Sequence, residues 1–177
     1  MVTIDLITGF LGSGKTTFLK KYAEYLMNQG LHIGILENDF GAINVDMLML
    51  HELRGDQCEL EMIAGGCDAE SHRRRFRTKL ISMRMCGYDR VLVEPSGIYD
   101  VDEFFDVLRE EPLDQWYEIG NVIAILDARL EKNLSQQADY LLASEAANAG
   151  KVILSHADAA TREQCEDTVA HLNRALE

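Results

Sequence analysis

With 177 residues, 47% apolar and 27% charged, the chain follows ordinary globular usage and can bury one sizeable core, so a single domain over 1–177 is expected. Thirty acidic against seventeen basic side chains leave a net charge of −13, which repels phosphate backbones and anionic lipid and excludes unguided binding to nucleic acid or a membrane surface. No apolar run approaches the roughly 18 to 20 residues of a membrane span, and the start of the chain has no charged n-region or small-residue cleavage site; a soluble cytoplasmic protein is implied.

In chain order, the short β-branched run 2–8, bounded by Gly9, reads as a first strand. Phe18, Leu19, Tyr22, Tyr25 and Leu26 then recur at helical spacing up to a stop at Gly30. Further strands are expected at 32–37, 90–94, 122–127 and 151–155, with helices near 71–86, 101–110, 131–148 and 161–176. This alternation predicts an α/β fold with a mostly parallel sheet. The stretch 38–66 is longer than a crossover needs and is expected to hold a functional loop or a small inserted pair of strands. Pro95 and Pro112 fall where elements already stop.

Gly9-Phe10-Leu11-Gly12-Ser13-Gly14-Lys15-Thr16 is G-x-x-x-x-G-K-[ST] between a predicted strand and a predicted helix. That is the context in which backbone N–H groups cradle phosphates, the lysine reaches the β- and γ-phosphates and the hydroxyl serves Mg²⁺. Gly12, Ser13, Gly14, Lys15, Thr16 and Thr17 are thus the phosphate-binding candidates. A second carboxylate is expected from a neighbouring strand, and Glu94, ending the apolar run 91–93, is the candidate to hold Mg²⁺ or orient water; the Gly97 N–H is placed to sense the γ-phosphate. Ser155-His156-Ala157-Asp158 ends the last predicted strand where a guanine motif [NST]-K-x-D would sit. Asp158 offers acceptors for guanine N1–H and the N2 amino group, while His156 stands in the lysine position and alters recognition of the base.

Together these residues resemble the CobW-type GTPases of the P-loop metallochaperone group. The first motif, with Thr8 before it and Thr17 after, resembles T-G-F-L-G-x-G-K-T-T; Glu37-Asn38-Asp39-Phe40-Gly41 resembles the switch segment E-N-E-F-G; Glu94-Pro95-Ser96-Gly97 resembles E-x-[ST]-G. The resemblance implies a three-layer P-loop NTPase fold. It also implies a GTPase, with GTP and Mg²⁺, whose cycle is coupled to handling a transition metal (Zn²⁺, Co²⁺ or Ni²⁺) for a client metalloenzyme or cofactor-synthesis protein. By the same resemblance Asp46 is a Mg²⁺ or water-ordering residue, Lys15 and Glu94 carry catalysis, and Glu37 joins Cys67 as a transition-metal ligand.

Two departures stand out. The family's G-G-C-x-C-C is here Gly65-Gly66-Cys67-Asp68-Ala69-Glu70, which keeps one thiol of three, so Cys67 needs help from Glu70, His72, Glu37 or, across a hairpin, Cys58. The family also continues past the final predicted helix with a strand, a base-contacting loop and a separate C-terminal domain, so either this sequence is a piece of a longer protein or the sheet lacks its last strand and leaves an edge for a partner, a second copy of the chain included. A lone thiol and a missing lysine keep open a nucleotide-dependent docking module with negligible turnover. An ATP-dependent small-molecule kinase would share the P-loop but not the use of Asp158.

The cations Arg73, Arg74, Arg75, Arg77 and Lys79 read as a solvated helix face, with docking to an acidic partner as the rival. Met83, Met85 and Cys86 read as helix-end core packing.

Overall fold

A computed structural model describes residues 1–10, 12–39, 45–64, 68–95, 101–131 and 134–177. Six strands, β1 (Val2–Gly9), β2 (Ile33–Asp39), β3 (Cys58–Ala64), β4 (Arg90–Pro95), β5 (Tyr117–Asp127) and β6 (Lys151–Ser155), form one sheet in the order β3-β2-β4-β1-β5-β6. Every pairing in it is parallel. The helices are α1 (Lys15–Asn28), α2 (Val45–Leu50), α3 (Ala69–Arg84), α4 (Val101–Leu108), α5 (Leu113–Trp116), α6 (Gln136–Ala147) and α7 (Arg162–Ala175). Right-handed crossovers fix the layers. The steps β1 to β2 to β3 run one way along the sheet and the steps β3 to β4 to β5 to β6 run the other, so α1 and α2 cover one face and α3 to α6 the opposite one.

The core divides accordingly. Leu19, Ala23, Leu26 and Leu50 pack on Ile7, Ile35, Leu92 and Ile125 on the first face. Phe76, Leu80, Phe104 and Val107 pack on Ile4, Leu6, Leu36 and Val93 on the second. A third cluster joins Leu142 and Ala146 of α6 with Leu172 of α7 and Leu126 of β5.

Between β2 and β4 the expected inserted pair of strands is replaced by α2, a 3₁₀ turn and β3, a single strand lying parallel to β2. Cys58 opens β3 beside Ile33 and is fully buried in the core, about 20 Å from the far end of that strand at a strand's rise per residue; the expected hairpin pairing with Cys67 lies outside the described residues. Burial pushes the Cys58 thiol up to about 11, with the Glu59 charge adding to it, so the thiol stays protonated and is a poor ligand.

The middle of the sheet is pinned by one buried acid. Asp5 is fully buried; its Oδ2 accepts from Tyr22 Oη at 2.8 Å and Arg90 Nη1 at 3.1 Å, and its Oδ1 from the Asn121 amide at 2.6 Å. Residues 120–121 form an irregularity in the β1–β5 register, and a Cβ on Gly120 would lie 2.2 Å from Asp5 Oδ1, which is why glycine stands there. Asp5→Asn keeps the shape but turns one acceptor into a donor facing Arg90 or the Asn121 amide. A loss of about 2 kcal/mol is expected in urea unfolding; an unchanged midpoint would contradict it.

The cationic run of α3 is largely committed within the fold rather than simply solvated. Arg73 Nη2 and Arg77 Nε reach the same Glu110 carboxylate after α4 at 2.6 and 3.0 Å, and Lys79 Nζ donates to Glu61 of β3 at 2.8 Å. Met83 is core, as its spacing suggests, but Met85 and Cys86 follow the end of α3 and are exposed.

Candidate nucleotide site

The functional candidates gather at one rim, because in a parallel sheet every strand delivers its C-terminal end to the same side. β1 ends in Gly9, whose φ of +137° and close approach to the β5 backbone admit no side chain; a Cβ there would stand 2.2 Å from the Ile125 carbonyl oxygen. Gly14, at φ +90°, then caps α1 in the left-handed region and turns the chain into the helix, with Lys15 and Thr16 as its buried first residues. Lys15 Nζ folds back and donates to the carbonyls of Gly9 at 2.7 Å and Phe10 at 3.1 Å. The Ser13 hydroxyl is buried inside the loop with no hydrogen-bond partner among the described residues. Thr17 is exposed on the first turn of α1.

Beside the loop, Thr16 Oγ1 donates to Glu94 Oε1 at 2.9 Å, joining the P-loop to the end of β4. Glu37 of β2 stands in register with Glu94, and both are 3% exposed on the face covered by α1. Two carboxylates from adjacent strands, whose backbones run about 4.8 Å apart, with a threonine hydroxyl at hand, make a hard, anionic oxygen set that favours a cation. The donor set fits Mg²⁺. Of the other expected metal and switch residues, Cys67 and Gly97 lie outside the described residues, and Asp46 is the second residue of α2, its side chain outside the description. Among the described residues no group of three or more His, Cys, Asp or Glu side chains is placed to hold a metal.

His72, one candidate helper for Cys67, is buried, and its Nδ1 lies 2.9 Å from Glu103 Oε1 of α4. That contact ties the first turns of α3 and α4 together, immediately after segments 65–67 and 96–100.

The base-side loop is built on the P-loop itself. Ser155 Oγ, closing β6, donates to the Ser13 carbonyl and, at 3.3 Å, to that of Leu126. His156 follows at φ +52°, with its ring edge near Gly14 and its Nδ1 2.9 Å from Asp127 Oδ2. Asp127 also receives the Arg129 amide at 2.8 Å and its guanidinium at 3.2 Å. Burial pushes the Asp127 carboxyl up, but the hydrogen bonds from Arg129 and His156 outweigh it and hold the acid below its ordinary range. Asp158 is exposed in the turn after His156.

Sequence reasoning missed two residues of this rim. Asp127 could have been found, since an acid closing a parallel strand on the ligand side is a candidate by position alone. Glu145, on α6, carries no such signal. It is 5% exposed beside Gly9, Phe10 and Leu126. Burial pushes its carboxyl up to about 7, with the Lys15 charge pulling the other way.

A glycine cradle, its lysine and threonine, a strand-end glutamate and a base-side loop bonded to the cradle form one continuous rim, and residues 3–177 match the family described as "CobW/HypB/UreG, nucleotide-binding domain". The chain belongs to the CobW/HypB/UreG family. This CobW/HypB/UreG domain is 28% identical over 187 residues to the zinc chaperone YjiA of Escherichia coli (strain K12), covering 97% of this chain and 55% of that protein. To the zinc chaperone YeiR of the same organism it is 31% identical over 157 residues, covering 85% and 47%. The chain thus spans about half the length of these curated relatives.

Among solved structures, the Zn(II)-bound YjiA GTPase from E. coli superposes with a TM-score of 0.59 at 21% identity, covering 97% of this chain and 54% of that one. The hydrogenase maturation factor HypB from Archaeoglobus fulgidus gives 0.56 at 18% identity, covering 99% and 76%. Both establish the fold of the CobW/HypB/UreG domain as that of the P-loop GTPases.

The base loop yields one prediction. Lysine at position 156 would restore a long aliphatic stem and a point charge where the imidazole now leans on Asp127. His156→Lys should tighten binding of a fluorescent GTP analogue by about tenfold, roughly one charge-assisted contact. Equal or weaker binding would show that the imidazole already serves the base.

Proposed function

We propose that this domain binds GTP with Mg²⁺, hydrolyses it slowly and couples that cycle to handling a transition metal for a client metalloenzyme or cofactor-synthesis protein. The observation that carries the proposal is the Thr16–Glu94 contact beside the curled Lys15: the three groups a phosphoryl-transfer site needs converge at one rim, next to a base-side loop hydrogen-bonded to the cradle.

In this reading Lys15 exchanges two loop carbonyls for phosphate oxygens and, with the loop amides, offsets charge gathering on the transferring group. Thr16, Glu94 and, through its side chain, Asp46 would hold Mg²⁺, which when bound neutralises phosphate charge. Glu94 orients the attacking water, and the Gly97 N–H senses the γ-phosphate. Ser155 fixes the base loop, His156 packs beside the base and Asp158 accepts from guanine. Cys67 with Glu37 binds the transported metal; the relatives named zinc chaperones make Zn²⁺ the first choice, ahead of Co²⁺ and Ni²⁺.

A second reading is a docking module that binds nucleotide with negligible turnover. It is favoured by His156 in the lysine position and by the single cysteine in the G-G-C stretch. Single-turnover GTP hydrolysis with and without Zn²⁺, Co²⁺ or Ni²⁺ separates the two. Turnover above the buffer rate, altered by one of the metals and insensitive to it in Cys67→Ala, is the expected result; a buffer rate under every condition leaves the docking module. Excess ATP should compete poorly with labelled GTP.

A further inference from the structure

Glu145 of α6 has no part in phosphoryl transfer as proposed, yet it lies against the start of the cradle. It is 5% exposed and lines one cavity with Gly9 and Phe10, the two residues whose carbonyls hold Lys15 Nζ. The other residues of that cavity come from β5, β6, α6 and α7 and all have hydrocarbon side chains. Its volume of about 10 Å³ leaves room for no more than one water. Among the described residues Glu145 accepts no hydrogen bond, and the one charge acting on it is that of Lys15 on α1.

Such a pocket accommodates a neutral carboxylic acid, whereas a carboxylate there is stripped of water and leans on Lys15 alone. Lys15 is also the cation that a phosphate must capture. An ionised Glu145 therefore opposes a bound phosphate twice, by drawing on the lysine and by like-charge repulsion through a dry interior. Both effects have the same sign.

We infer that Glu145 gates the phosphate site through its charge: nucleotide binds tightly while this carboxyl holds its proton and more weakly once the proton is released. The inference rests on the nucleotide reading given above. By reciprocity, bound phosphate keeps the proton on Glu145, so binding takes up a proton from solution. Burial has already moved the carboxyl to about 7, which places the exchange near neutral pH. Below that value the acid is protonated and above it ionised, so affinity falls as pH rises through neutrality.

The test is the affinity of the Mg²⁺ complex of a fluorescent GTP analogue, measured from about pH 6.5 to about pH 8.5 on the parent and on Glu145→Gln, which is neutral at that position throughout. Any change in the ionisation of His156 or of the phosphates is common to both proteins. Relative to the variant, the parent should weaken about fivefold or more over this range, as for a ligand that binds the protonated form about tenfold better. Titration calorimetry at about pH 7.5 in two buffers of different ionisation enthalpy should show the parent taking up about half a proton per nucleotide, an uptake lost in the variant. Glu145→Met, an apolar fit to the same cavity, takes the place of glutamine should that protein unfold in circular dichroism. The same pH response in parent and variant, or proton uptake that persists in the variant, overturns the gate and leaves the nucleotide site standing. Absence of binding by either protein at every pH removes both.

Discussion

Lys15→Ala protein should bind a fluorescent GTP analogue at least about a hundredfold more weakly than the parent, roughly 3 kcal/mol, while keeping the circular dichroism of a folded chain. The ammonium is nearly buried and already sits on two carbonyl oxygens of the cradle, at 2.7 and 3.1 Å. In the proposed mechanism phosphate oxygens take the place of those carbonyls, so the lysine needs no large rearrangement. Without it, the triphosphate is met by amide dipoles alone. Arginine should not rescue binding, because its planar fork is too large for a loop in which the Gly9 position tolerates no Cβ. Unchanged GTP affinity in the alanine variant would remove Lys15 from the phosphate site and with it the proposed mechanism.

Glu145→Gln should raise stability at pH 8 by about 3 kcal/mol, an advantage that fades as pH falls toward 4.5. Burial moves this carboxyl from its ordinary 4.5 to about 7, at about 1.4 kcal/mol for each tenfold change. Between those two values the folded chain holds a proton that the unfolded chain has released. Stability is therefore highest below about 4.5, declines as pH climbs through 7 and stays reduced above it. Glutamine resembles the protonated acid in shape and polarity and avoids the ionised state. Urea titrations of both proteins across this range check the sign: an advantage for glutamine that grows on acidification would contradict the burial argument.

The P-loop and the parallel order of strands were legible because both are local signals, a fixed spacing of glycines in one case and β-branched runs separated by helical periods in the other. What escaped is instructive in its chemistry. β3 reads Cys-Glu-Leu-Glu-Met-Ile-Ala, with one β-branched residue and two acids, since an edge strand satisfies its carboxylates on Tyr88 and Lys79 instead of burying a continuous apolar run. The first half of β5 holds Gly120 and Asn121, residues that favour turns, because Asp5 occupies the space a side chain would need and takes the Asn121 amide. α2 is too short to establish a period.

At the rim, Thr16 and Glu94 could be named from sequence, yet their hydrogen bond needed the crossover that sets β4 beside β1. Asp127 and Glu145 became visible only with their partners. The cations of α3 looked like a solvated face because Glu110 and Glu61, which receive three of them, are distant in sequence.

The Asp5 cluster lies at mid-strand, about 13 Å along β1 from Gly9 and the cradle. Perturbations at that separation with no shared partner combine independently. The double variant Asp5→Asn/His156→Lys should therefore show the unfolding midpoint of the first change and the ligand affinity of the second. Substitutions at the rim can accordingly change what this chain binds while the same keel keeps its sheet afloat.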